Sequence, residues 1–178
     1  MNRFFHASVN IGTPPKPYYL DIDTGSDLTW LQCSPGHTDL LKLHHYTIMC
    51  RCGYHQEFLD THTPPPKVDG VLGLGNGKAS IVSQLSDQGV IPKVTGHCLG
   101  GQGGGYLFLG NAPVSSPGLL RAQMSSQSVK LHDNMLAPAD LLYGEQPLDY
   151  GLYVAFDSGS TYTYFESQAY RATLQQVR

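Results

Sequence analysis

Two short stretches of this chain repeat each other. Asp-Thr-Gly-Ser stands at positions 23–26 and Asp-Ser-Gly-Ser at positions 157–160, each at the end of an apolar run. An offset of 134 positions (157 − 23) also lays Tyr153 on Tyr19 and Thr163 on Thr29. One such Asp-x-Gly is ordinary turn or cap chemistry. Two related copies restrict the chain much further, because a repeat predicts a repeated structural unit. A pseudo-twofold arrangement of the two units would set their turns face to face. Two carboxylates roughly 3 Å apart cannot both ionise, so they share a proton. One can then act as base toward a bound water while the other donates to a carbonyl. Their titration would belong to the pair rather than to either residue.

The repeat also sorts the acidic residues. Asp21 and Asp23 point to the same side of a strand, since side chains alternate with a period of two. The position matching Asp21 in the second copy is Ala155. Only Asp23 has an acidic counterpart, so Asp23 and Asp157 are the candidate pair and Asp21 reads as structural.

Composition sets outer limits. Of 178 residues 40% are apolar and 14% charged, which is enough apolar side chain for a core. A formal net charge of −3 leaves no basic footprint for nucleic acid. No run of 18 apolar residues is present to span a membrane as a helix. The opening "MNRFFHASVNIGTPP" lacks the apolar run of a secretory signal. Twenty Gly, twelve Pro and eleven Tyr point to many short strands and turns. Cys33, Cys50, Cys52 and Cys98 allow three pairings, among which the sequence does not choose.

Strands are expected over Phe4–Ile11, Tyr18–Asp23 and Leu28–Cys33, with the Pro-rich "GTPPKP" outside any ladder. Residues 34–67 show no clean period and read as loop. "VDGVLGLGNGK" returns to a strand, and "SIVSQLSDQG" reads as a helix capped by Ser80 and stopped by Gly89. "GGQGGGYLFLGN" reads as a glycine turn and a strand, Ala112–Asp149 as irregular, and Leu152–Asp157 as a strand. A terminal helix follows, with Tyr170, Leu174 and Val177 on one stripe.

"DIDTGSDLTWLQC" and "FDSGSTYTYF" resemble the two catalytic signatures of pepsin-like aspartic proteases, with the plant nucellin-like or nepenthesin-like branch as the best match. "PPPKVDGVLGLGNGKASIVSQLSDQGVIPKVTGHCL" and "GGGYLFLG" resemble the same branch. The resemblance implies a mainly β, pepsin-like acid protease fold, present in part. Residues 1–111 would form the N-terminal lobe, 112–150 a crossover and 151–178 the start of a truncated C-terminal lobe. It implies an aspartic-type endopeptidase with a polypeptide substrate and no cofactor or metal. Asp23 and Asp157 would be catalytic. Thr24 and Ser158 would hydrogen-bond across the pseudo-twofold, Ser26 and Ser160 would bond the outer carboxylate oxygens, and Gly25 and Gly159 would let backbone N–H groups approach. Val71-Leu72-Gly73 would support the first loop. A secreted family also implies at least one disulfide and a secretory, extracellular or vacuolar setting.

Two departures bear on activity. The interval Cys33–Val71 is short for a family that places a hairpin flap there, and neither Tyr46 nor Tyr54 lies in a flap-like context. The chain ends soon after the second signature, which leaves exposed strand edges for self-association. The alternative is therefore a catalytically inactive binding module on the same scaffold. Other motifs are weak. "GLGNGKAS" lacks the first Gly and the Ser/Thr of a phosphate loop. His44, His45, Cys50, Cys52 and His55 fit no structural zinc spacing.

Overall fold

A computed structural model describes residues 5–33, 40–53, 68–111, 129–131 and 134–177. Strand β1 (His6–Ile11) runs antiparallel to β2 (Lys16–Asp23), with His6 opposite Asp21 and Ile11 opposite Lys16. β2 therefore begins inside the stretch expected to lie outside a ladder, and Pro17 sits opposite Asn10. The next strand over joins β2 only from Leu20 onward, so one edge is open at Pro17 and its missing N–H is tolerated.

β3 (Trp30–Gln32), β4 (Leu40–Leu43), β5 (Tyr46–Met49), β6 (Arg51–Gly53) and β7 (Gly70–Gly73) follow. The main sheet has the order β1-β2-β7-β3-β6. β7 inserts between the two strands that flank the first Asp-Thr-Gly turn, parallel to β2 and antiparallel to β3. Gly70 makes this close approach possible, since a Cβ there would run into the Trp30 carbonyl.

Part of the segment read as loop is strand. β4 and β5 form a hairpin whose two-residue turn is His44-His45, with His44 at φ 58. Turns of this length favour Gly or Asn at positive φ, and a histidine pair gives no such signal. The hairpin is tied down by Gly12 N–H to Lys42 O at 2.8 Å and by Gln84 Nε2 to Met49 O at 3.0 Å. Tyr46 opens β5 beside the turn, and Tyr54 lies outside the described residues.

Alternation along β2 decides what is buried. Leu20 and Ile22 face inward and join Leu31, Leu72, Leu74, Ile11, Ile48 and Cys50 in one cluster. Helix α1 (Ile81–Asp87) adds Ile81, Val82 and Leu85. Its ends follow the sequence reading: Ser80 Oγ accepts from Ser83 N–H, and Gly89 leaves the helix at φ +71.

β8 (Thr95–Leu99) and β9 (Gly105–Leu109) make a second hairpin. The stretch read as irregular holds β10 (Val129–Leu131), all of β11 (Asn134–Tyr143) and the start of β12 (Gln146–Val154), which form a three-stranded antiparallel sheet. Gly144 at φ +62 begins the two-residue turn between β11 and β12, the position where such turns take Gly. Pro138, Pro147 and a register shift after Asp140 break the alternation that would have marked these strands. Helix α2 (Ser167–Val177) buries Ala169 fully, while Tyr170 and Leu174 of the expected stripe are exposed. Among the described residues no helix is long and apolar enough to cross a membrane.

Cys33 and Cys52 form a disulfide, with their Cα atoms 5.3 Å apart and 19 positions between them in sequence. It fixes the end of β3 to β6, its parallel neighbour. Cys50 is buried and Cys98 exposed, both outside disulfides. Closing a loop of this length is worth about 3 kcal/mol. Reduction, or Cys33→Ala, is expected to lower the unfolding free energy by about 2–4 kcal/mol in urea titration. Unchanged stability on reduction would contradict this.

Candidate active site

The first Asp-Thr-Gly turn is held from below by β7. Leu74 N–H donates to Asp23 O at 2.8 Å, Gly75 N–H to Ser26 O at 2.9 Å and Gly73 N–H to Thr29 Oγ1 at 3.2 Å. Thr29 is completely buried. The segment Val71-Leu72-Gly73 thus lies under the first loop, as expected.

Within the turn, Gly25 N–H donates to Asp23 Oδ1 at 2.9 Å and Ser26 Oγ to Asp23 Oδ2 at 2.5 Å. The second turn repeats the first of these, with Gly159 N–H on Asp157 Oδ1 at 3.0 Å. It does not repeat the other. Ser160 Oγ donates to Tyr162 O at 3.1 Å, which corrects the expectation that this hydroxyl bonds the Asp157 carboxylate. The exposed second loop folds back on itself, and the Ser160 backbone N–H donates to the Asp157 main-chain O at 3.3 Å.

The two turns meet through reciprocal hydrogen bonds. Thr24 N–H donates to Ser158 Oγ at 3.1 Å and Ser158 N–H to Thr24 Oγ1 at 2.9 Å. Each hydroxyl also reaches past the other turn: Thr24 Oγ1 donates to Phe156 O and Ser158 Oγ to Ile22 O, both at 2.7 Å. Phe156 and Ile22 are themselves related by the repeat offset, so the pattern has the twofold character the sequence implied.

This juncture brings Asp23 and Asp157 together. A Cβ on Gly159 would stand 2.6 Å from Asp23 Oδ1, and one on Gly25 would stand 2.6 Å from Asp157 Oδ2. Each glycine therefore leaves room for the opposite carboxylate. Partial desolvation where the two turns meet, and then the Asp23 charge, hold the Asp157 carboxyl above its ordinary value, against the pull of the Gly159 and Ser160 N–H groups. A hydrogen bond between the two side chains favours the protonated form further. A pair of this kind can hold one proton between two oxygens and present both an acid and a base to a bound water.

The family described as Xylanase inhibitor N-terminal matches residues 5–47 and 38–111. An aspartic proteinase of Oryza sativa subsp. indica is 32% identical, over 98% of this chain and 59% of its own length. Aspartic proteinase 36 of Arabidopsis thaliana is 23% identical, over 97% of this chain and 52% of its own. The crystal structure of an aspartic proteinase from Irpex lacteus superposes with a TM-score of 0.70 at 17% identity, over 98% of this chain and 65% of that one. The chain belongs to the pepsin-like aspartic protease family. It spans little more than half the length of these curated relatives. The rice alignment runs over 243 positions, more than this chain's 178 residues, so the relative has internal segments with no counterpart here.

Two acidic residues beside the first turn do more in the structure than their sequence context signals. Asp27 is almost buried and accepts from Gly77 N–H at 2.7 Å. Its carboxylate fills the space a side chain at Gly75 or Gly77 would need. The pattern Asp27…Gly75-x-Gly77 carried the signal, but only once a strut was suspected. Asp21, read as structural, lies on the same strand face as Asp23. Among the described residues its buried Oδ1 has no hydrogen-bond partner. Of the residues that fitted no zinc spacing, Cys52 is in the disulfide and His55 lies outside the described residues.

The Asp27 strut yields a coupled prediction. Asp27→Ala strands the Gly77 N–H and is expected to cost about 1–3 kcal/mol. Gly77→Ala forces a methyl into the carboxylate and destabilises as well. The double variant should lose less than the sum of the two, because removing the carboxylate vacates the methyl's space. Urea unfolding of the four proteins tests this, and strict additivity would count against the strut.

Proposed function

We propose that this chain carries the aspartic-type endopeptidase site of its family, with Asp23 and Asp157 as the catalytic pair. The observation supporting this most directly is the mutual clearance of Gly25 and Gly159 for the opposite carboxylate, held by the Thr24–Ser158 bonds. In this reading one proton is shared. The ionised member takes a proton from a water bound between the turns, and the water oxygen attacks the peptide carbonyl carbon. The protonated member donates to the carbonyl oxygen, giving a tetrahedral diol. Proton return to the amine then breaks the C–N bond. Thr24 and Ser158 hold the turns, Gly25 and Gly159 direct N–H groups at the carboxylates, and Ser26 orients Asp23. Ser160 supports Asp157 through its backbone N–H. Residues 1–111 act as the N-terminal lobe, 112–150 as crossover and 151–178 as the start of the C-terminal lobe. The disulfide accords with an oxidising compartment.

Turnover by this chain alone should be weak. Asp157 is solvent-exposed, whereas Asp23 is half-buried and rests on β7. Catalytic geometry must be held to about 0.5 Å, and a loop exposed to solvent holds it poorly.

A second reading, a binding module without turnover, has two observations in its favour. The matching family description names inhibition, and Tyr153, Phe156 and Tyr164 are exposed around the second turn.

The purified chain should cleave an unfolded protein substrate in acid. Activity should fall as pH rises through the raised Asp157 value, because ionising both carboxylates removes the acid. Asp23→Asn and Asp157→Asn should each lower kcat/KM by about 10²–10⁴-fold. Undiminished activity in either variant, or activity highest near neutral pH, would sink the endopeptidase reading. Protein binding with no turnover and no uptake of a transition-state-analogue inhibitor would favour the module.

A further inference from the structure

We propose that a second copy of this chain docks on the aromatic face formed by Phe156, Tyr164, Phe165, Tyr170 and Leu174, and that this contact braces the turn carrying Asp157. The contact itself does not depend on catalysis, whereas its effect on turnover rests on the endopeptidase reading.

The face is built from two neighbouring pieces. The first is the second turn with the loop that follows it. Residues 161–168 are all exposed, although the run holds three aromatic rings. Tyr164 is 79% exposed, and Phe156, on the other limb of the turn, 75%. Hydrogen bonds close the two limbs on each other. Ser160 N–H donates to Asp157 O at 3.3 Å and Ser160 Oγ to Tyr162 O at 3.1 Å.

The second piece is α2. Glu166 caps it, its Oε1 accepting from Ala169 N–H at 2.7 Å. Phe165 stands just before the cap and Tyr170 four residues past it, the two positions whose side chains meet at helix starts. The loop's rings therefore continue into the helix. Tyr170 and Leu174 lie four apart on one side of α2, and both are exposed. Ala169 is the helix residue that is fully buried. An apolar helix stripe is stable when it faces a core, and this one faces solvent.

Size and charge point to what covers the face. An aromatic side chain offers roughly 150–250 Å², so at their exposures the four rings leave roughly 500 Å² uncovered. A standard interface buries about 800 Å² per partner, a little over half of it apolar. The face is thus the size of the apolar part of one dimer interface. From position 131 to 170 the chain has no Lys or Arg, so this surface has no cation for the phosphates of nucleic acid or of a lipid surface. A second copy brings the same rings, and aromatic pairs are self-complementary around a twofold. β12, which leads into the turn, is an edge strand with β11 on one side and no described strand on the other.

The second turn is otherwise restrained by its bonds to Thr24 and Ile22. A second copy packed on Phe156, Tyr164 and Phe165 limits the motion of both limbs. Association thereby orders Asp157 opposite Asp23, and turnover becomes dependent on protein concentration.

The test is sedimentation velocity of the purified 178-residue protein, disulfide intact, over about 0.1–100 μM. A single reversible monomer–dimer step is expected, with its midpoint in the micromolar range. Tyr164→Glu and Tyr170→Glu each place a charge in the face and should raise the midpoint about tenfold or more. Tyr106→Glu, on the β8–β9 hairpin at 80% exposure, should leave it in place. In the wild type, amides of residues 156–170 should exchange hydrogen more slowly above the midpoint than below it, and any turnover per chain should climb with the dimer fraction. A monomer at every concentration, an open-ended series of larger species, or an equal shift from Tyr106→Glu overturns the proposal. So does amide exchange or measurable turnover per chain that stays flat across the midpoint. A chain that stays monomeric but binds the part of the Oryza sativa proteinase outside the match also overturns it, and gives the face to that occupant. If the Glu variants do not fold, the wild-type exchange decides. A dimer with slowed exchange and no cleavage would support the face while the endopeptidase reading failed, and cleavage by a monomer would do the reverse.

Discussion

The interaction on which the rest of the site depends is the reciprocal bonding of Thr24 and Ser158. It joins residues 134 apart in sequence, and the same two hydroxyls also bond Phe156 O and Ile22 O across the turns. Closing a loop of that length costs about 4 kcal/mol by the logarithmic chain-entropy estimate, before the constant term. The four hydrogen bonds of the juncture return about 0.5–1.5 kcal/mol each. The two amounts nearly offset, so the bonds orient the turns more than they assemble them. Assembly must come from what packs behind each turn, and the two turns differ sharply in that respect.

What the sequence disclosed follows from how local each signal is. The repeat, the Ser80 cap and the Gly89 stop are local patterns, and the structure has the turns and the helix at those positions. Strands with clean alternation, such as Tyr18–Asp23, were legible because burial on one face imposes period two. The β4–β5 hairpin was not, because His44-His45 stands where a Gly or Asn would have marked the turn. β11 and β12 were hidden by Pro138, Pro147 and a register shift, although Gly144 was a usable clue. Asp27 was invisible for a different reason. Its partner, Gly77, is 50 residues away, and a carboxylate after Asp-Thr-Gly-Ser looks like one more polar loop residue. Ser160 shows the limit of symmetry as a guide. The repeat put a hydroxyl in the right place in the sequence, but the second loop curls toward Tyr162 and uses it there.

The deeper asymmetry lies in what supports each Asp. The first turn is part of a five-stranded sheet: β7 threads between its flanking strands, Asp27 braces the following loop, and the disulfide ties β3 to β6. Removing the second turn would leave nearly all of these contacts in place. The second turn has no such bed among the described residues. Asp157 and Phe156 face solvent, Tyr162 and Tyr164 are exposed, and the cross-bonds to Thr24 and Ile22 are its main restraints. A shared proton magnifies this difference. The carboxylates interact only while their separation is kept, so motion of the second turn weakens the coupling that raises Asp157 and returns each acid toward independent behaviour. Proton sharing and rigidity of the second turn are thus one property viewed from two sides. Anything that packs against residues 156–165 would strengthen both at once, and anything that frees them would weaken both, with Asp23 left in place and chemically alone.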